Sequence, residues 1–189
     1  MRVVWALKEM ELDCEIESLK FPPRIFQPEY LEVNPLGTIP YFVDGDTYLT
    51  ESSGICHYLA SKYNKDELLI QPDHPDYGSF INWLYHSDAT LTFPLTIVMR
   101  YQILEPNKFP EVAEDYAKWH VARLRLLDRH LEDREFLCGD KFTIADIAIT
   151  YALYLGDQLK VSQYYSDNIK HYLARMTARP AFLSAEAVG

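Results

Sequence analysis

Apolar residues recur at helical spacing over most of the chain and alternate only within its first third. Residues 2–10 (RVVWALKEM) carry one apolar face and predict a helix at the beginning of the sequence. Residues 14–19 (CEIESL) alternate in polarity and predict a strand. A short helical turn is predicted over residues 28–33, within a loop rich in proline.

The stretch NPLGTIPYFVDGDTYLTES, residues 34–52, combines three kinds of signal. It predicts a turn into Pro40, two short strands joined around Gly45, and a helix that ends at about Tyr63. Thr50 is the predicted N-cap of this helix, and Glu51 occupies the first turn, where the helix dipole favours an acid. Because helix N-termini offer free N–H groups, the stretch suggests a site for a small anionic ligand.

Everything after residue 75 has a helical pattern. A long helix is predicted over 76–104 with a bend at Pro94, and a second over 110–132. A third begins with Thr143 as N-cap and Asp146 three positions later, which is the pattern of a capping box. A last helical segment is predicted over 163–178, followed by a short tail that begins at Pro180.

These patterns divide the chain into two domains. Residues 1–66 contain the predicted strands, residues 67–75 have the proline-containing composition of a linker, and residues 76–189 are helical throughout. At 189 residues the chain is long enough for two small domains that share an interface.

The charge balance narrows the class of partner. The chain has 28 acidic and 18 basic side chains, a formal net charge of -10. Such a charge repels phosphate backbones and anionic headgroups, so we expect neither nucleic acid nor a membrane surface as partner. No apolar run reaches the roughly 20 residues of a spanning helix, and the N-terminus lacks a signal-peptide pattern. We therefore expect a soluble cytoplasmic protein.

Neither the cysteines nor the histidines indicate a metal or redox site. Cys14, Cys56 and Cys138 are far apart and form no CxxC motif, so buried free thiols are expected. The six histidines show no HxxxH or HExxH spacing, and no metal is expected.

Several motifs together resemble the soluble glutathione transferases. The loop NPLGTIP at 34–40 is similar to the family's Asn-Pro-x-Gly-x-x-Pro loop, and TES at 50–52 is similar to its Glu-Ser helix start. FTIADIAI at 142–149 resembles the buried capping-box helix of the family's second domain, and ARPAF at 178–182 its closing segment. The resemblance implies an α+β fold: a thioredoxin-like N-terminal domain that lacks its first strand, followed by an all-α helical bundle domain.

The resemblance also implies a glutathione site. Pro40 would follow a cis peptide bond, so that the backbone N–H and C=O of Ile39 pair with the cysteinyl part of glutathione. Ser52 would bind the γ-glutamyl carboxylate through its hydroxyl and its N–H, while Glu51 lies near the amino group. Thr38 departs from the family, because many relatives have a lysine or arginine there.

A larger departure concerns the thiol-activating residue. In the family a Tyr, Ser or Cys ends a strand that precedes the helix found here at about Arg2, so no residue of this sequence matches it and the catalytic residue is unknown. Deleting a central strand leaves unpaired backbone groups, each costing about 1 to 3 kcal/mol when buried. We therefore expect Met1 to be an internal methionine or the chain to be a fragment.

The function that the resemblance implies is a transferase that adds the glutathione thiolate to a small hydrophobic electrophile. Candidate walls of the electrophile pocket are Tyr85, Thr90, Phe93 and Arg100 on the bent helix. The resemblance further implies a homodimer.

Two alternatives stay open. The first is a non-catalytic or N-terminally truncated glutathione-transferase-like module that binds glutathione weakly or serves as an interaction domain. The second is a glutathione-dependent isomerase or dehalogenase.

Overall fold

A computed structural model describes residues 1–188, which form a short hairpin and a helical body. The hairpin consists of β1 (Phe42–Asp44) and β2 (Thr47–Leu49). The α-helices are α1 (Arg2–Glu9), α2 (Pro23–Phe26), α3 (Ser52–Lys62), α4 (Tyr77–His86), α5 (Phe93–Met99), α6 (Pro110–Arg123), α7 (Arg125–His130), α8 (Ile144–Gln158), α9 (Asp167–Thr177) and α10 (Pro180–Glu186). Short 3₁₀ turns cover Pro28–Glu32, Asp66–Leu68 and Ser162–Tyr164.

The described chain contains one sheet, which consists of β1 and β2 alone. The predicted hairpin is therefore confirmed, but the strand predicted over 14–19 is wrong. That segment has no regular secondary structure and is largely exposed, with Ile16 at 41% exposure. Its alternating pattern meets no neighbouring strand among residues 1–188, and a strand forms only where its backbone groups find partners in a ladder.

Helix α1 joins the two halves of the molecule. It packs against α3 of the N-terminal half and against α8 and α10 of the helical half. Trp5 is fully buried and meets the ring of Phe182 edge-on, with ring centroids 5.0 Å apart. At the end of α1, Glu9 accepts two hydrogen bonds from the guanidinium of Arg179, at 2.7 and 2.9 Å.

The long helix predicted over 76–104 exists, and its regular geometry is interrupted around Pro94. Helix α4 continues through a π-helical turn (Ser87–Thr92) into α5, which ends in a second π-helical turn (Arg100–Leu104). Because proline lacks a backbone N–H, the α-helical ladder cannot continue regularly past it, and a wider turn precedes it here.

Two predicted boundaries in the helical half differ from the structure. The helix predicted over 110–132 is interrupted at Leu124, which separates α6 from α7. The segment after Pro180 is the helix α10, with Phe182 and Ala185 buried, where a tail was predicted. The apolar positions of 180–186 were too few to show a helical period, and packing against α1 supplies the missing stabilisation.

The capping box at the start of α8 is confirmed. The hydroxyl of Thr143 accepts from the N–H of Ala145 at 3.2 Å, and the carboxylate of Asp146 accepts from the N–H of Thr143 at 2.9 Å. Most residues of this helix are buried, so it lies in the core.

No helix within residues 1–188 has the length and apolar character needed to cross a membrane.

Candidate functional site

The β1–β2 hairpin brings two segments to one end of the small sheet: the loop of residues 34–40, called the proline loop below, and the start of α3. Its antiparallel register pairs Phe42 with Leu49. Two residues beyond this pair, Pro40 precedes β1 and Glu51 follows β2, so the antiparallel register places them opposite each other. The loop and the helix start, which the sequence predicts as two halves of one ligand site, are therefore neighbours in the fold.

The buried side chain of Asn34 stabilises the proline loop through hydrogen bonds to its backbone. Its side chain is 1% exposed; the amide nitrogen donates to the carbonyl of Thr38 at 2.8 Å, and the amide oxygen accepts from the N–H of Leu36 at 3.1 Å. Gly37 has φ +60, and a Cβ there would lie 2.8 Å from Cβ of Arg24. No role for Asn34 was predicted, although an asparagine at the beginning of a turn that contains proline and glycine is a recognisable signal.

The Ile39–Pro40 peptide bond is cis, as the resemblance predicted. The carbonyl before it, that of Thr38, accepts from both Asn34 and the hydroxyl of Tyr30. Within residues 1–188, neither the N–H nor the C=O of Ile39 takes part in a hydrogen bond. Both groups of Ile39 are therefore free to pair with an extended ligand backbone.

Helix α3 begins without a side-chain cap. The predicted N-cap Thr50 is wrong by one residue: Glu51 is the N-cap, its side chain makes no capping bond, and Ser52 is the first helical residue. Glu51 is too long to fold back onto the N–H groups of the first turn as Ser or Thr does. Those N–H groups stay available to a ligand at the positive end of the helix dipole.

Beneath Ser52 lies a polar cluster that sequence analysis missed. The buried guanidinium of Arg2 donates to the Ser52 hydroxyl at 2.7 Å and forms an ion pair with Asp88. The hydroxyl of the next residue, Ser53, donates to the other carboxylate oxygen of Asp88. One signal could have revealed the cluster: a cation at a helix N-terminus opposes the dipole, so Arg2 requires an acidic partner elsewhere.

None of the three cysteines has the environment of an activated thiol. Burial raises the pKa of Cys56 and of Cys138 to about 12. The prediction of buried thiols is wrong for Cys14, which is exposed, and partial desolvation together with the nearby Glu15 raises its pKa as well. An activated thiol needs the opposite shift.

The four residues predicted to line an electrophile pocket lie along the 77–104 rod and are not gathered at one point. Tyr85 is 72% exposed and Phe93 is 50% exposed, while Thr90 is half-buried. Arg100 lies 15 residues after Tyr85, which at a rise of about 1.5 Å per residue is on the order of 20 Å along the rod. Its guanidinium is paired with Glu105 at 3.0 Å.

Two cavities open on the helical half, away from the hairpin. One lies between α8, α9 and α10 and includes Tyr154 and Phe182; the other lies between α6 and the end of α8 and includes Val121 and Tyr164. None of the predicted site residues lines either cavity.

Comparison with protein families gives two matches that together cover most of the chain. Residues 1–67 match the family model described as glutathione S-transferase, N-terminal domain. Residues 106–180 match the model described as glutathione S-transferase, C-terminal domain.

Individual relatives include a glutathione S-transferase and a protein with a different name. The chain is 33% identical over 154 residues to glutathione S-transferase 3 of Zea mays, an alignment covering 77% of this chain and 68% of the maize protein. It is 34% identical over 128 residues to elongation factor 1-gamma-B of Xenopus laevis, covering 67% of this chain and 28% of that protein.

Among solved structures, the fold is similar to that of the glutathione transferase URE2P6 from Phanerochaete chrysosporium, crystallised with oxidized glutathione. The TM-score is 0.84 at 28% sequence identity, and the match covers 98% of this chain and 89% of the fungal chain.

Proposed function

Because the chain belongs to the glutathione S-transferase family, we propose that it binds glutathione at the open end of the hairpin and adds the glutathione thiolate to a small electrophile. The observation that carries this proposal is the arrangement of two free backbone groups and a free helix start at one end of the β1–β2 hairpin. The similar URE2P6 structure contains oxidized glutathione.

Two parts of glutathione, the cysteinyl and the γ-glutamyl residue, have matching groups in this arrangement. The free N–H and C=O of Ile39, before the cis bond to Pro40, pair with the cysteinyl part in the manner of a β-strand. The hydroxyl and N–H of Ser52 bind the γ-glutamyl carboxylate, and the dipole of α3 adds to this attraction. Glu51 is exposed beside them and complements the ligand's amino group.

The proposed reaction requires the thiol of glutathione to lose its proton. A free cysteine thiol has a pKa near 8.5 and is mostly protonated at neutral pH, so a hydrogen-bond donor aimed at the sulfur speeds the attack. The electrophile would bind along the rod beside Tyr85, Thr90 and Phe93, with Arg100 at the far end, so this surface is elongated.

Glutathione affinity of wild type and Ser52→Ala, measured by calorimetry, tests the binding site. We expect the substitution to weaken binding by about 10-fold, because a hydrogen bond to a charged group contributes about 1.5 to 3 kcal/mol. Ser61→Ala is the control: Ser61 is exposed on the same helix and should leave the affinity unchanged. Equal affinity of wild type and Ser52→Ala would remove the main ligand contact from the proposal.

Turnover of chlorodinitrobenzene tests the reaction itself. We expect glutathione consumption above the uncatalysed rate, together with formation of the thioether product. Binding without any turnover would instead favour a second candidate, a non-catalytic module.

One comparison specifically supports this second candidate. The chain is 34% identical to a protein named elongation factor 1-gamma-B, and the match covers 28% of that protein. A glutathione-transferase-like domain can therefore be one part of a larger protein with another role. Glutathione binding and turnover together would exclude this candidate as the sole function.

We further propose a cytoplasmic homodimer with domains at 1–66 and 76–189 joined by the linker 67–75. The N-terminal half exposes large apolar side chains, which are typical of a protein interface: Ile25, Phe26, Leu36 and Tyr48 are 58 to 63% exposed. Light scattering coupled to gel filtration should give about twice the 22.0 kDa chain mass. A monomeric mass at micromolar concentration would contradict this assembly.

A further inference from the structure

The cavity between α6 and the end of α8, called the α6–α8 groove below, has the size of a ligand site. Its volume of about 1100 Å³ is comparable with the largest small-molecule sites in proteins, which reach about 1,000 Å³. Leu159 and Val161 contribute buried apolar side chains to its lining, whereas Ile103 and Tyr164 are 60 and 64% exposed. A ligand that covers these exposed apolar surfaces removes them from water, which favours binding.

The charges around the α6–α8 groove reverse the charge balance of the chain. Three basic side chains line it, those of Lys118, Arg125 and Lys160, against one acidic side chain, that of Glu114. The whole chain has 18 basic and 28 acidic residues. None of the three cations forms an ion pair within residues 1–188. All three are therefore available to an anionic ligand.

Two of these cations stand on either side of an apolar position of α6. Lys118 and Arg125 are separated by two helical turns, or about 10 Å along the helix, and Val121 lies between them on the same face. A molecule that lies along α6 therefore meets a cation, then an apolar side chain, then a second cation. This order favours a ligand with an acid group at each end over one with a single acid group.

The third cation occupies a backbone position that suits glycine better. Lys160 follows Leu159, the residue at which α8 ends, and its φ is +61. In this left-handed region a side chain costs stability, and glycine is the usual residue directly after a helix end. A lysine near the end of a helix also interacts favourably with the helix dipole, so Lys160 alone does not indicate a ligand. Lys118, in the middle of α6, has no such role.

We propose that the α6–α8 groove binds an elongated apolar molecule that carries an acid group at each end. The apolar middle covers Val121 and Val161, the two acid groups pair with Lys118 and Arg125, and Lys160 adds to the attraction from the opposite wall. This site is separate from the proposed glutathione site and does not depend on it.

Calorimetry with three probes of equal chain length tests the proposed class of ligand: dodecanedioate, dodecanoate and dodecanediol. We expect wild type to bind dodecanedioate about 3-fold more tightly than dodecanoate, and dodecanediol least tightly, because each exposed ion pair adds a small increment. The affinity for dodecanedioate should fall as salt is added and should not change at saturating glutathione. Any other order of affinities, or displacement of dodecanedioate by glutathione, would overturn the proposal.

Variants of the cations test the location of the site. Lys118→Gln and Arg125→Gln should each weaken dodecanedioate binding by about 3-fold, and the double variant by about 10-fold, because positions two turns apart act independently. The control Lys8→Gln removes the same charge at an exposed position of α1 and should leave the affinity unchanged. A wild-type affinity of the double variant, or an equal loss in Lys8→Gln, would contradict the proposal.

Lys160→Gly separates binding from folding. We expect this variant to bind dodecanedioate about 3-fold more weakly and yet to unfold at a higher urea concentration, because glycine adopts a positive φ without strain. A weaker affinity in a more stable protein cannot result from a loss of folding. An unchanged affinity of Lys160→Gly would remove the opposite wall from the proposed site and so overturn the proposal as stated.

Discussion

Two helix starts in this molecule have opposite solutions to the same problem. The first turn of any α-helix has N–H groups without partners inside the helix. At the start of α8, the Thr143 hydroxyl accepts from the first-turn N–H of Ala145, and the Asp146 carboxylate accepts from the N–H of the N-cap residue Thr143. Both side chains are fully buried. At the start of α3, no side chain caps the helix, and Glu51 is exposed.

This difference separates stability from binding. The closed start of α8 uses its polar groups internally: Asp146 also accepts from the N–H of Leu137 at 3.0 Å and from the hydroxyl of Tyr172 at 2.8 Å. The open start of α3 leaves its N–H groups available to an anion. Its first residue, Ser52, accepts a hydrogen bond from the buried guanidinium of Arg2. Of these two helix starts, only that of α3 therefore has N–H groups left for a ligand.

The largest expected effect concerns the closed start. Asp146→Ala removes the acceptor for Leu137, Thr143 and Tyr172 at once, and each buried donor left without a partner costs about 1 to 3 kcal/mol. We expect the free energy of unfolding, measured with urea, to fall by roughly 3 kcal/mol or more.

Asp157→Asn is the matched control for that measurement, because Asp157 is an exposed acid on the same helix and should change stability by less than about 0.5 kcal/mol. A decrease of less than about 1 kcal/mol in the free energy of unfolding of Asp146→Ala would show that the capping box of α8 contributes little to stability.

A pH effect of similar size is expected from His120, another fully buried polar group of the helical half. Burial lowers its pKa to about 4, and its ring contacts the carbonyl of Leu91 and the hydroxyl of Tyr165. The unfolded chain, with a histidine pKa near 6.5, binds a proton first as the pH falls. This contribution to stability is therefore complete above pH 6.5 and is lost progressively towards pH 4, by on the order of 3 kcal/mol.

Urea unfolding at pH 7 and pH 4.5 measures this dependence. Relative to wild type, His120→Gln should make the change from pH 7 to pH 4.5 less destabilising, because glutamine does not titrate. His171→Gln, at an exposed position on α9, should leave the loss unchanged. An identical pH dependence in wild type and His120→Gln would show that His120 is not responsible for it.

The two helix starts also show what local sequence can predict. The capping box of α8 was predicted correctly because its members are three residues apart and the pattern is complete within one turn. The support of Ser52 was missed because its members are distant: Arg2 and Ser52 are 50 positions apart, and Ser53 and Asp88 are 35 apart. Only the fold places them together, since no periodic pattern links them.

The strands show the same difference between local patterns and contacts that depend on the fold. The β1–β2 hairpin was predicted because its two strands find each other across a glycine turn. The segment 14–19 has an equally good alternating pattern, but a strand needs a partner, and none lies beside it among residues 1–188. The cis bond at Pro40 was predictable from the family resemblance alone, since only about one X-Pro bond in twenty is cis.

The smallest expected effect is the most direct test of the comparison, because it closes the open start. Glu51→Ser places a good N-cap residue before α3, so its hydroxyl can accept from the N–H groups of the first turn. We expect a gain of about 0.5 to 1 kcal/mol in the free energy of unfolding and a weaker affinity for glutathione. Glu51→Ala loses the same carboxylate without adding a cap, so it measures the carboxylate's own part in binding. Affinity should therefore fall further in Glu51→Ser than in Glu51→Ala, while stability should rise only in the serine variant. Equal affinities in the two variants would mean that the N–H groups of the first turn do not bind the ligand, and the absence of a cap at α3 would then have no functional meaning.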